Sequence, residues 1–87
     1  MQLVVSGAGT AAVNATYNVV GMRDGQQLWK SGAGYYVFWS TAQVNWFIDL
    51  VPNDLNVGLY NRGGSMITGG PWYVGTGVAP GPDAVLV

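Results

Sequence analysis

Tyr35-Tyr36-Val37-Phe38-Trp39-Ser40-Thr41-Ala42-Gln43-Val44-Asn45-Trp46-Phe47-Ile48-Asp49-Leu50 is the one long run free of glycine and proline, and its reading decides the fold. Elsewhere fourteen Gly and four Pro interrupt the chain at short intervals. Each Gly costs about 1 kcal/mol inside a helix and each Pro about 3, so a helical reading has nowhere to start. The run itself is aromatic and β-branched, which favours a pleated sheet. Alternation predicts a strand over residues 35–40 with Tyr35, Val37 and Trp39 on one face and Tyr36 and Phe38 on the other. A second strand over 45–50 sets Trp46, Ile48 and Leu50 on one face and Asn45, Phe47 and Asp49 on the opposite one, with residues 41–44 between them. One face is wholly apolar. The other carries more aromatic surface than a solvated face requires.

Strands continue outward at short spacing. Upstream, residues 15–22 and 26–30 flank Asp24-Gly25, a pair that supplies the positive φ values a tight type I′ hairpin needs. Residues 2–5 form a first strand that ends at Ser6-Gly7-Ala8-Gly9. Downstream, Pro52-Asn53-Asp54 reads as a turn, 57–61 as a strand, and Arg62-Gly63-Gly64-Ser65 as a second turn. A short strand at Met66-Ile67, a break at Gly69-Gly70-Pro71 and a strand over 72–74 follow. After the stiff loop Ala79-Pro80-Gly81-Pro82-Asp83, residues 84–87 form a last apolar segment, expected to pair with the first strand or with a neighbouring copy. The expected fold is all-β: one small antiparallel barrel or compact sandwich of about seven to eight short strands, spanning residues 1–87 as a single domain. Its core draws on Val37, Trp39, Trp46, Ile48, Leu59 and Trp72.

Composition excludes several functions. Three Lys/Arg against four Asp leave a net charge of −1, and Arg23, Lys30 and Arg62 lie far apart in sequence, so no cationic cluster exists for nucleic acid. There is no His, Cys or Glu, which removes a disulfide framework, a thiolate metal site and most catalytic groups. The first residues lack the basic region of a signal peptide, and no run of about 20 apolar residues is present to span a bilayer as a helix. The residues leave the compartment undefined.

Three motifs have a plainer reading than the chemistry they imitate. Gly7-Ala8-Gly9-Thr10-Ala11-Ala12 after an apolar strand mimics a dinucleotide fingerprint. The β-branched, Asn-punctuated residues that follow supply no helix N-terminus for a pyrophosphate, so it reads as a glycine loop between strands. Asp49 and Asp54 could form a carboxylate pair, and residues 53–56 offer a few oxygens to a cation. Without Glu or His, turn chemistry is the better account, and neither catalysis nor a cofactor or metal is expected. Asn14-Ala15-Thr16 fits a glycosylation acceptor and marks only a surface position.

The rings carry what functional potential there is. Trp29, Tyr36, Phe38, Phe47, Tyr60 and Tyr73 are the candidate ligand or interface aromatics. Beside Asn and Gln they could stack on a glycan, or they could be covered by another subunit or a tandem neighbour domain. A folded chain of 9.2 kDa exposes roughly 5,000 Å². Seven charged residues cover that thinly, and eleven aromatics are hard to bury in one small core, so self-association is expected.

The order Ser6-Gly7-Ala8-Gly9-Thr10, Val13-Asn14-Ala15-Thr16-Tyr17, Asp24-Gly25 before Trp29, Tyr36-Val37-Phe38-Trp39, Trp46-Phe47-Ile48-Asp49, Leu59-Tyr60 and Gly70-Pro71-Trp72-Tyr73-Val74-Gly75 resembles a class of short glycine- and aromatic-rich β-modules of uncharacterised marine microbial and phage proteins. Ala15 departs from the glycine of that pattern. The resemblance implies a non-catalytic structural or binding module, of a virion or a surface assembly, and brings no catalytic residues with it.

Overall fold

The computed structural model describes residues 1–53, 57–64, 66–68 and 72–87. The readings made at Asp54, Ser65 and Gly69-Gly70-Pro71 lie outside the described residues. Eight antiparallel strands form one curled sheet: β1 (Gln2–Ser6), β2 (Ala15–Arg23), β3 (Gln26–Ser31), β4 (Tyr36–Ser40), β5 (Asn45–Asp49), β6 (Tyr60–Gly63), β7 (Tyr73–Val74) and β8 (Asp83–Leu86). The order β7-β6-β5-β4-β3-β2-β1-β8 is a meander whose last strand returns to lie beside the first. Among the described residues the only helical element is one 3-10 turn, Ala11–Val13.

The sheet's two edges, β7 and β8, are consecutive in sequence and come together at one end, where the Trp72 N–H donates to the Pro82 carbonyl at 2.8 Å. Curling in this way hides one face. Leu3, Val5, Tyr17, Trp29, Val37, Trp39, Trp46, Ile48, Tyr60 and Trp72 fill that interior. Five of the six expected core residues are there, while Leu59 is half-buried and packs against them. Register joins Val37 to Ile48 and Trp39 to Trp46, and the two indoles of the latter pair meet edge-on at 5.5 Å.

Local chemistry explains the turns. Asp24 (φ 52°) and Gly25 (φ 82°) both take the left-handed region and pair Arg23 with Gln26, as a type I′ turn requires. Asp24 also accepts the Thr41 N–H at 3.1 Å, and Arg23 donates to the Trp39 carbonyl at 2.9 Å, so the hairpin tip grips the β4–β5 turn. The glycine loop after β1 is held by Asn14, whose side-chain amide exchanges two hydrogen bonds with Ala8, at 2.8 and 3.0 Å. The asparagine of the apparent glycosylation triplet is thus a staple between loop and strand.

Most strands differ from the sequence expectation by a single residue at one end, and three differences change what a segment does. The strand expected at 57–61 is displaced to Tyr60–Gly63, because Gly58 sits at φ +68° and breaks the extended run. Met66 and Ile67 are not in a strand; the Met66 carbonyl instead accepts a bond from Arg62 Nε at 2.7 Å. Leu50 lies beyond β5 and is exposed rather than on the buried face.

Burial pushes the Tyr17 hydroxyl well above the usual tyrosine pKa, the Ser31 side chain partly opposing that shift. The hydroxyl donates to the Val13 carbonyl at 2.8 Å. Above pH of about 10 the unfolded chain releases this proton while the folded protein keeps it, so stability falls by up to ~1.4 kcal/mol per pH unit. Tyr17→Phe is expected to cost about 1–3 kcal/mol at neutral pH by orphaning that carbonyl. Urea titrations at rising pH should show the gap between parent and variant narrowing beyond pH of about 10. A gap that stays constant would contradict this.

Candidate functional site

The six candidate rings do not form one surface. Trp29 and Tyr60 point into the curled sheet and are buried. Phe38 and Phe47 lie on the other side of β4 and β5, stacked at 5.7 Å between centroids, and they too are buried. The Arg23 side chain crosses from β2 to place its guanidinium 5.2 Å from the Phe38 ring centre. The chain at Gly58 packs so closely that a Cβ there would stand 3.3 Å from the Phe47 ring. These four rings are therefore buried within the chain rather than gathered on an outer surface. Curling of the sheet buries Trp29 and Tyr60, while Phe38 and Phe47 are enclosed by each other, by Arg23 and by the chain at Gly58.

Tyr36 is half-buried, with the Lys30 ammonium 5.0 Å from its ring centre. Tyr73, at 72% exposure, is the one openly solvated ring of the set. Two strands, β5 and β6, separate the strands that carry them. That spacing is about 14 Å, too wide for both rings to stack on one sugar.

Eight of the eleven aromatics are buried within the chain itself, and its surface is 4358 Å², below the size-based expectation. The surplus apolar surface is aliphatic instead. Val19, Val20 and Met22 on β2, and Val85, Leu86 and Val87 at β8, are exposed. β8 ends the strand order at one edge as the two-residue β7 does at the other, so the main-chain groups on the outer side of β8 have no strand beyond them among the described residues.

A second feature lies at the end of the seam away from the Trp72–Pro82 bond. There the edges stay apart and leave a cleft of about 220 Å³. Trp29 and Trp46 form its inner wall, Ile67 and Leu86 its sides, and Gln26 and Gln27 part of its rim. Met66 and Thr68 complete the mouth. The Trp46 ring nitrogen is enclosed and has no acceptor among the described residues, and the same holds for Trp72. The sequence singles out Trp29 as a candidate and Trp46 as core, but does not bring the rest of this group together. One signal was present: period-2 alternation puts Gln27 on the same inward face as Trp29, a polar side chain where the pattern calls for an apolar one.

Among the described residues no three His, Cys, Asp or Glu side chains cluster as metal ligands would. Asp49 accepts a bond from the neighbouring Leu50 N–H at 2.8 Å, and its suggested partner, Asp54, lies outside the described residues. No described helix is long and apolar enough to cross a membrane. Comparison with family models, curated proteins and solved structures finds no match to this chain.

Proposed function

We propose that this protein is a non-catalytic interaction module that assembles with copies of itself by continuing its sheet across β8. The observation that carries the reading is the open edge at Asp83–Leu86. An unpaired edge presents a row of N–H and C=O groups, a template for another strand, and soluble proteins usually blunt it with Lys or an inward charge. Here Asp83 is the strand's one charged residue, and Val85 and Leu86 beside it are exposed. An antiparallel β8–β8 pairing would be self-complementary, as a two-fold dimer requires. It would also shelter aliphatic surface that so sparsely charged a chain otherwise leaves in water.

Light scattering across a concentration series tests this. A mass rising above the 9.2 kDa of one chain is expected. Val85→Lys, which puts a charge on the outward side of β8, should return the mass to one chain while leaving the far-ultraviolet dichroism unchanged. A parent chain that stays monomeric at its solubility limit, or a Val85→Lys variant that associates as well as the parent, would refute the reading.

A further inference from the structure

We infer that the cleft at the open end of the seam binds a small uncharged organic molecule, a single ring-sized apolar body bearing one or two hydroxyl or carbonyl groups. The space is adequate. An enclosed apolar cavity of about 150 Å³ takes up benzene, and this cleft measures about 220 Å³. Barrel mouths are a common place for such sites, and a preformed apolar pocket with a few polar groups is their usual make-up.

The lining selects the chemistry. Trp29 and Trp46 are 2% and 3% exposed, which gives the cleft a rigid indole wall continuous with the core. Ile67 and Leu86 add aliphatic sides. Among the described residues no charged side chain lines the cleft, so an ion entering it would lose hydration without a counter-charge in that lining. The polar contribution is small: the amides of Gln26 and Gln27, which make no side-chain hydrogen bond to any described residue, and the Thr68 hydroxyl. Two free amides can satisfy one or two ligand groups. They cannot satisfy the four or five hydroxyls of a sugar, each costing roughly 2–7 kcal/mol if buried unpaired. The ligand therefore resembles an aromatic or cyclic alcohol more than a saccharide. Leu86 belongs both to β8 and to the cleft wall. Val85, however, faces away from the interior residue Ala84 and does not line the cleft, so Val85→Lys blocks the proposed pairing while leaving the cleft lining intact.

The test is a titration of the whole chain with benzyl alcohol, with benzoate and methyl β-glucoside in parallel, followed by tryptophan emission and by the Trp46 indole N–H resonance. Saturable binding of benzyl alcohol with a Kd at or below about 1 mM is expected. Benzoate and the glucoside should bind at least about 10-fold more weakly. Leu86→Trp should fill the cleft and abolish the response. Gln27→Met, which keeps side-chain length at an exposed position, should weaken binding by about 3- to 10-fold without altering the fold, and it carries the test if Leu86→Trp fails to fold. An unsaturable response, equal binding of benzoate or glucoside, or undiminished binding in both variants would overturn the inference.

Discussion

Phe47→Ala is expected to cost about 3–5 kcal/mol, the range for deleting a fully enclosed aromatic side chain. Phe47 is on the face of β5 opposite the main core, where a half-covered sheet would meet solvent, yet it is 1% exposed. Phe38 stacks on it, Arg23 covers Phe38, and the chain at Gly58 closes over Phe47 itself. Truncation would leave a cavity between these layers that the sheet cannot collapse into, since Ile48 and Trp46 on either side are fixed in the interior. A domain of this size holds roughly 4–13 kcal/mol in total, so the variant should be at the limit of folding. Tyr73→Ala, at the one openly exposed ring, should change stability by no more than about 0.5 kcal/mol. Urea midpoints for the pair give the comparison. A Phe47 cost below about 1 kcal/mol would mean that the outer layer does not seal.

Gly9→Ala should be nearly as damaging, for a steric reason. A Cβ at Gly9 would run into the main-chain carbonyls of Val78 and Ala79, and backbone cannot swing away as a side-chain tip can. The contact is part of a clasp between the loop after β1 and the loop before β8. Gly9 N–H donates to the Pro80 carbonyl at 3.0 Å, and Val78 N–H donates to the Thr10 hydroxyl at 2.9 Å. Between them the buried Tyr60 hydroxyl accepts from the Thr10 N–H at 3.0 Å and donates to the Val78 carbonyl at 2.6 Å. Forcing the loops apart strains the backbone and loosens these bonds together, for an expected cost of about 3 kcal/mol or more. In a domain of this size that lowers Tm by roughly 12–24 °C. Gly32→Ala is the control, because a Cβ there meets nothing within 4 Å and the backbone is not left-handed. Its Tm should stay within a few degrees of the parent, about the shift that ~0.5 kcal/mol produces. Equal effects at Gly9 and Gly32 would show that the loops are not clasped.

The two functional readings share one geometric origin. A meander that returns its last strand to its first must bring two edges close, and here the two-residue β7 pairs with β6 and not with β8. The seam is closed at Pro82 and open at Leu86. Its open length supplies both the unpaired edge and the cleft, so each follows from the same shortfall in hydrogen-bonded closure.

The sequence by itself determined the all-β class, most of the strands, the Asp24-Gly25 hairpin, and which residues of 35–40 and of 45–50 share a face, while it left the last apolar segment to pair either with the first strand or with a neighbouring copy. These depend on side-chain alternation and turn stereochemistry, which act between near neighbours or between adjacent strands and are written in residue order. Tertiary structure alone decided that Phe38 and Phe47 are enclosed while Tyr73 is bare. It also decided that the strand expected at 57–61 begins only at Tyr60, and that Gln26 and Gln27 reach the same cleft as Ile67 and Leu86. Alternation assigns a residue to one side of a sheet, but whether that side is wet depends on which distant loop lies over it. Distances across a curled sheet depend on its curvature, and neither is a property of any short stretch of chain.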